Sequence, residues 1–303
     1  MGIANRSTSY ENIFPPRSRK SYGTIILVMI LLACPTISYG DGNQIETTIK
    51  WDKITDLKFV GGQDNKDQRP VAVGAFLGVH NGALIVAGGA TNLNVAEHKS
   101  SEDLSKTIYS NSIWIATRGQ GTDQNGDGEI SADERSLSWK RSEASLQGNR
   151  AYGASAVHGL GLIAIGGTDG EIALNDAVLI RWDEDEQQVN TLRLPPMPGE
   201  SVKGGAVVIG STVYVVAGND DYGYTGQVYA FDLSQIEIDS LGNPISHLGI
   251  VKLKLQKDVN GNQPVPWQRL PALPLTDGEF LAGTEPLVVA QHNGSGKHLY
   301  VIR

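Results

Sequence analysis

Residues 74–92, GAFLGVHNGALIVAGGATN, hold two short apolar runs that are separated by an Asn-Gly turn signal and followed by a glycine pair. Short apolar runs bounded by Gly and Asn are typical of paired β-strands, whereas a helix would need a longer run with a period near 3.6 residues. The segment therefore predicts a β-hairpin. Whether that hairpin stands alone or belongs to a repeated fold depends on the rest of the chain.

The hairpin pattern recurs at residues 152–170, YGASAVHGLGLIAIGGTDG, and at residues 203–221, KGGAVVIGSTVYVVAGNDD. After each hairpin come a polar loop, a third strand pattern and a fourth, which carries Trp139 in the first unit and Trp267 in the third. A fourth unit begins in residues 281–303. Four strands per unit resemble the blades of kelch repeats. The sequence therefore predicts an all-β, kelch-type β-propeller, with about three and a half blades present of about six.

Small residues follow the second strand of every unit. The pairs are Gly88-Gly89, Gly166-Gly167 and Ala217-Gly218. Residues without side-chain bulk let two backbones approach closely. We therefore expect these pairs to meet at one end of a central channel, where neighbouring blades come together.

Residues 1–40 have the pattern of an export signal. Basic residues precede the run TIILVMILLA, which is too short to span a bilayer as a stable helix. Three outcomes stay open: cleavage after Gly40, cleavage before Cys34, and an anchor that is not cleaved. At Cys34, LLAC resembles a bacterial lipobox and would attach the protein to a membrane through a lipid. All three predict a periplasmic or extracellular protein, and a single cysteine allows no internal disulfide.

Residues 41–303 are assigned to the partial propeller. Two insertions interrupt it, near residues 119–136 and 235–263, each between the third and fourth strands of its unit, and both are expected to be long tips on outer hairpins. The chain has 303 residues and a net charge of −8, with no basic run that could follow a phosphate backbone. Nucleic acid is therefore excluded as a partner.

The first insertion contains an EF-hand-like calcium loop, DQNGDGEISADE, at residues 123–134. The predicted metal ligands are Asp123, Asn125, Asp127, Glu129, Ser131 and Glu134. The flanking segments are strand-like, so the two helices of an EF-hand are missing. Two interpretations stay open: a structural Ca²⁺ that stiffens a hairpin tip, and an acidic insertion that stays mobile without metal. In neither case does the chemistry require a cofactor.

The chain resembles the sialic acid mutarotases (N-acetylneuraminate epimerases), and more closely their cyclically permuted relatives. The resemblance is carried by GAFLGVHNGALIVAGGA at residues 74–90, by RAYGASAVHGLGLIAIGGTDGEIALNDAVLI at residues 150–180, and by WQRLPALP at residues 267–274. It implies an exported isomerase that interconverts the anomers of N-acetylneuraminate or a related sugar. The alternative is a non-catalytic kelch module that binds a glycan or a protein.

The resemblance also implies a catalytic pair, a Glu directly after a strand-ending Gly and an Arg six residues later. In this chain that position is filled by Ala90, Thr168 and Asn219, none of which is a general base. We therefore expect the pair to be missing from this chain, which would make it an inactive fragment or part of a longer protein.

Four residues are predicted to bind the sugar: Arg150, Tyr152, Asn219 and Asp220. Arg150 starts the innermost strand of a blade, where it could hold a substrate carboxylate or form a structural pair with a nearby carboxylate. Tyr152 follows it on the same strand face. For Asn219 and Asp220, at the end where the glycines converge, the alternative is a solvated turn.

His80 and His158 occupy the same turn position in two successive repeats. Side chains that recur at one repeat position usually serve the repeat itself. We therefore expect a structural role for both, not a catalytic one.

Overall fold

The computed structural model describes residues 73–92, 107–119, 126, 128, 137–220, 223–254, 265–273, 287–292 and 296–302. All of these lie within the unit Leu57–Arg303. Within these ranges the regular structure consists of β-strands and one short 3-10 helix, Leu233–Gln235. The all-β prediction is confirmed. None of the described residues belongs to a helix that is long and apolar enough to cross a membrane.

The first sheet is antiparallel and contains the hairpin predicted at residues 74–92. Its strands, in sheet order, are β1 (Phe76–His80), β2 (Ala83–Ala87), β5 (Ser112–Arg118) and β6 (Leu137–Ser145). The short strands β3 (Ala90–Asn92) and β4 (Thr107–Tyr109) pair with each other beyond the end of β2. Trp139 lies on β6, so the predicted fourth strand is confirmed.

The second and third sheets repeat this order. The second contains, in sheet order from its first strand, β7 (Ala154–His158), β8 (Gly161–Ile165), β9 (Ala177–Asp183) and β10 (Gln188–Leu194). The third contains β11 (Gly205–Ile209), β12 (Thr212–Val216), β15 (Val228–Asp232) and β18 (Trp267–Leu270), with the short pair β13 (Asn219–Asp220) and β14 (Gly223–Tyr224) beyond β12. A last hairpin joins β19 (Leu287–His292) to β20 (Lys297–Ile302).

The second strand of each sheet separates two layers of core, because its alternate side chains point to opposite faces. On β8, Leu162 packs in a core with residues of the first sheet, whereas Ile163 packs in a core with residues of the third. On β12, Val213 faces the second sheet, and Val216 shares a smaller core with Val288 of the last hairpin. The first strands of consecutive sheets also contact one another. Sheets stacked face to face in this way fit a β-propeller-like fold.

Backbone hydrogen bonds join the sheets at one equivalent position, just before each first strand. The N–H of Tyr152 donates to the carbonyl of Gly74 at 2.7 Å, and the N–H of Lys203 donates to the carbonyl of Tyr152 at 2.5 Å. All three residues have positive φ, of 64°, 60° and 59°. A left-handed conformation costs a residue with a side chain about 1 kcal/mol, so the two hydrogen bonds offset strain that the junction itself requires.

The glycine pairs lie at these junctions, as the sequence predicts. The N–H of Gly89 donates to the carbonyl of Arg150 at 2.8 Å, and the N–H of Gly167 donates to the carbonyl of Ser201 at 2.7 Å. A Cβ atom on Gly166 would lie 2.4 Å from the carbonyl oxygen of Ser201, which is closer than real Cβ contacts. Only glycine allows the second and third sheets to approach this closely.

The described part of the second insertion does not form a free tip. It leaves the third sheet after β15 and supplies β16 (Ser246–His247) and β17 (Ile250–Val251). β17 pairs in parallel with β10, so the second sheet has six strands instead of the four expected from the sequence. An unpaired outer strand exposes backbone donors and acceptors to other chains, and the insertion covers part of that edge, where Ile250 pairs with Arg193. Ile236 and Val251 are buried where it packs.

We predict that Gly166→Ala destabilises the fold by about 3 kcal/mol, whereas Gly210→Ala costs about 1 kcal/mol. The two glycines have nearly the same φ, 63° and 61°, so both variants pay the same backbone strain. Only the variant at Gly166 also forces two backbones apart, because nothing lies within 4 Å of a Cβ on Gly210. Urea unfolding of both variants measures the difference, and equal midpoints would show that the close approach does not matter.

Candidate functional site

The glycine end is the end of the first strands at which Gly89, Gly167 and Gly218 lie. Three side chains from different parts of the fold meet there. Tyr109 comes from β4, Tyr152 precedes β7, and Lys203 precedes β11. Tyr152 and Lys203 hold equivalent places in successive units, so the repeat itself sets one side chain beside the other.

Tyr152 is the centre of this group. Its ring packs edge-on against the ring of Tyr109, with centroids 6.4 Å apart and an angle of 76° between the planes. The ammonium group of Lys203 lies 6.0 Å from the centroid of the Tyr152 ring. That geometry is a weak cation–π contact, worth about 0.5–1 kcal/mol where water has access. All three side chains are half-buried, and the group therefore offers aromatic surface and one positive charge to a ligand.

Arg150 lies beside this group but is itself buried, with 2% of its surface exposed. Its Nη2 donates to a carboxylate oxygen of Asp176, which is 34% exposed. This is the structural pair that one interpretation of Arg150 anticipated. Three polar atoms of this pair have no hydrogen-bond partner within the described residues: Nε and Nη1 of Arg150 and the other carboxylate oxygen of Asp176. Direct contact of Arg150 with a sugar stays a prediction.

Asp169 is the other carboxylate near Arg150 in the loop after Gly167. Its Oδ1 accepts hydrogen bonds from the N–H groups of Glu171 and Ile172, at 2.9 Å and 3.0 Å. These two bonds hold the pKa of Asp169 below its usual value, and the bond from Ile172 has the larger effect. A carboxylate stabilised in its charged form is a weak base, so Asp169 is suited to loop structure and not to proton abstraction.

Asn219 and Asp220 form β13 and pair with β14. The backbone of Asn219 also exchanges two hydrogen bonds with Val202, both of 2.7 Å, which ties the strand to the junction before β11. The structure thus places Asn219 at the glycine end with Lys203. The side chain of Asp220 lies outside the described part, and its role stays a prediction.

The predicted calcium ligands fall outside the described residues. They are Asp123, Asn125, Asp127, Glu129, Ser131 and Glu134. The glycines between them, Gly126 and Gly128, are exposed and have positive φ, of 75° and 85°. In the described ranges, no group of three or more His, Cys, Asp or Glu side chains is placed to hold a metal ion. Cys34 and the export signal also lie outside those ranges.

His80 and His158 lie at the opposite end of the first strands. His80 is buried, and its Nδ1 accepts the N–H of Trp182 at 3.1 Å while Nε2 lies 3.3 Å from the carbonyl oxygen of Gly159. His80 therefore joins the first sheet to the second. His158 bonds within its own turn, where Nδ1 accepts the N–H of Leu160. Both contacts are structural.

Two residues of the group around Tyr152, Lys203 and Tyr109, were not predicted from the sequence. Lys203 carried a usable signal, since it aligns with Tyr152 at the first position of the repeat. Tyr109 carried none, because no pattern in the sequence predicts β4, and the pairing of β4 with β3 helps to place Tyr109 near Tyr152.

Comparison with known proteins gives little beyond this geometry. No model of a known protein family matches the sequence, and no curated protein matches it significantly. A solved structure of YjhT aligns with 71% of this chain and 55% of its own length, at 15% identity and a TM-score of 0.42. This chain therefore spans about half the length of that structure.

We predict that acid weakens the fold through His80. Burial is the main cause that lowers the pKa of His80 below the ordinary 6.5, and the positive charge of the nearby Arg181 lowers it further. A lowered pKa means that the folded state prefers the neutral ring, so this stability is complete above pH 6.5 and is lost as the pH falls below it. The loss is at most about 1.4 kcal/mol per pH unit.

The measurement is the free energy of unfolding from about pH 7.5 to about pH 5, in the native chain and in His80→Asn. The variant should lose less stability over this range. Because burial also lowers the pKa of His158, His158→Asn should reduce the loss as well. His247→Asn, at an exposed position on β16, is the control for the loss of a histidine. Parallel profiles for the native chain and His80→Asn would contradict the prediction.

Proposed function

We propose that this chain is a mutarotase-like, kelch-type β-propeller that binds N-acetylneuraminate or a related acidic sugar at the glycine end. The observation that carries the proposal is the group formed by Tyr109, Tyr152 and Lys203. Aromatic faces bind the apolar C–H surface of a sugar ring, and an ammonium group pairs with a carboxylate. The sequence resemblance to sialic acid mutarotases supports the same sugar class.

The finer fold assignment belongs to this proposal. Each four-stranded sheet would be a kelch blade, in a propeller of about six blades. The glycine pairs and the junctions before β7 and β11 support it, because each joins one sheet to the next by the same backbone contacts. An exported location and a structural Ca²⁺ in residues 123–134 are part of the proposal and rest on sequence patterns alone.

Mutarotation needs more than binding. A base must take the proton of the anomeric hydroxyl while an acid protonates the ring oxygen, and both groups work best with a pKa near the working pH. Asp176 is engaged by Arg150, and the pKa of Asp169 is lowered. Asp169 is therefore a poor base, and one carboxylate oxygen of Asp176 is engaged by Arg150. This observation favours the second candidate function, a non-catalytic module that binds the acidic sugar.

We predict that Lys203→Glu weakens binding of N-acetylneuraminate about five-fold or more, because the substitution replaces attraction by repulsion. Binding of the methyl ester of the sugar, which lacks the negative charge, should not change. Saturation-transfer NMR on the full chain measures both ligands. Lys140→Glu, at an exposed site on the outer strand β6, is the matched control for net charge.

The same samples separate the two functions. Freshly dissolved crystalline N-acetylneuraminate is followed by proton NMR, with and without the protein. Anomer exchange faster than in buffer supports the mutarotase, and binding without faster exchange supports the binding module. Equal affinity of the acid and the ester for the native chain would overturn the proposed role of Lys203.

A further inference from the structure

The turn end of the first strands, opposite the glycine end, surrounds an open cavity of about 470 Å³. Sites for small molecules commonly measure about 300–1,000 Å³, with mostly apolar walls and a few polar groups. Val79, Val157 and Val208 form the apolar part of this cavity, and Asn81, His158 and Lys297 are among its polar residues.

The three valines form one wall because of the repeat. Each is the fourth residue of the first strand in its sheet, and each pairs with an equivalent residue of the second strand. Val79 and Val157 are each 43% exposed, whereas the first residues of the same strands, Phe76 and Ala154, are buried in the cores between sheets. Apolar surface held open to water in a cavity gains free energy when an apolar group covers it.

The polar groups of the cavity favour a negative charge. Lys297, which comes from the last hairpin, is exposed. Nδ1 of His158 accepts a hydrogen bond from Leu160, so the hydrogen of the neutral ring is on Nε2, a donor. No carboxylate belongs to the residues that line the cavity. The residues that line the cavity therefore include one positively charged side chain and no negatively charged one.

We propose that this cavity is a second ligand site, which takes a small amphiphilic anion. The apolar body of the ligand covers the three valines, and its carboxylate or sulfonate pairs with Lys297. The valine wall has no hydrogen-bonding groups for sugar hydroxyls, so this ligand differs in class from the acidic sugar at the glycine end. The proposal does not depend on the proposed function.

Two naphthalene dyes test the proposal on the full chain. One is 8-anilinonaphthalene-1-sulfonate, which carries a negative charge, and the other is N-phenyl-1-naphthylamine, which has nearly the same apolar body and no charge. Fluorescence titration gives the affinity of each. Lys297→Glu should weaken binding of the sulfonate about five-fold or more and leave the uncharged dye unchanged.

Val157→Thr should weaken both dyes, by about three-fold, because it replaces a methyl group of the wall by a hydroxyl and keeps the side-chain shape. Lys252→Glu, at an exposed position on the second insertion, controls for net charge and should change neither dye. Circular dichroism confirms that each variant is folded. If neither Lys297→Glu nor Val157→Thr changes the affinities, the dyes bind elsewhere and the proposal is wrong.

Discussion

The close backbone approach between consecutive sheets is the constraint on which the rest of the structure depends. At each junction one N–H crosses to the preceding sheet from a residue with positive φ, and one glycine N–H crosses to the following sheet. A Cβ on Gly88 or Gly166 would lie 2.5 Å or less from a carbonyl oxygen of the next sheet. The small residues thus fix the distance between sheets, and the cores between sheets fill the space that this distance leaves.

That constraint also gives the two ends of the first strands different chemistry. At the glycine end the chain crosses between sheets, so consecutive junctions bring Tyr152 and Lys203 together beside Arg150 and Asp176. At the turn end each hairpin simply reverses, and equivalent valines line an open cavity. At the glycine end backbone hydrogen bonds join the sheets, whereas at the turn end the side chain of His80 joins the first sheet to the second.

The second insertion shows what local sequence could not predict. The side chain of Asp239 holds the turn at residues 239–243, since its Oδ1 accepts from the N–H groups of Leu241 and Asn243 at 2.8 Å. Arg181 of the second sheet donates to Asn243 across a separation of 62 residues. The insertion therefore belongs by sequence to the third unit and by pairing to the second sheet. Pairing of an edge strand is decided by which backbone lies beside it, and that is a tertiary property.

The sequence by itself determined the four main strands of each unit, their order and the positions of the glycines, because these follow from alternation, turn residues and steric size, all of which act locally. It also identified Tyr152 at the glycine end. The tertiary structure decided that Arg150 is buried against Asp176, that Tyr109 packs on Tyr152, and that β17 covers β10. Each of these contacts joins residues that are distant along the chain. Their meeting depends on which elements the fold places side by side, and no single stretch of sequence encodes that placement.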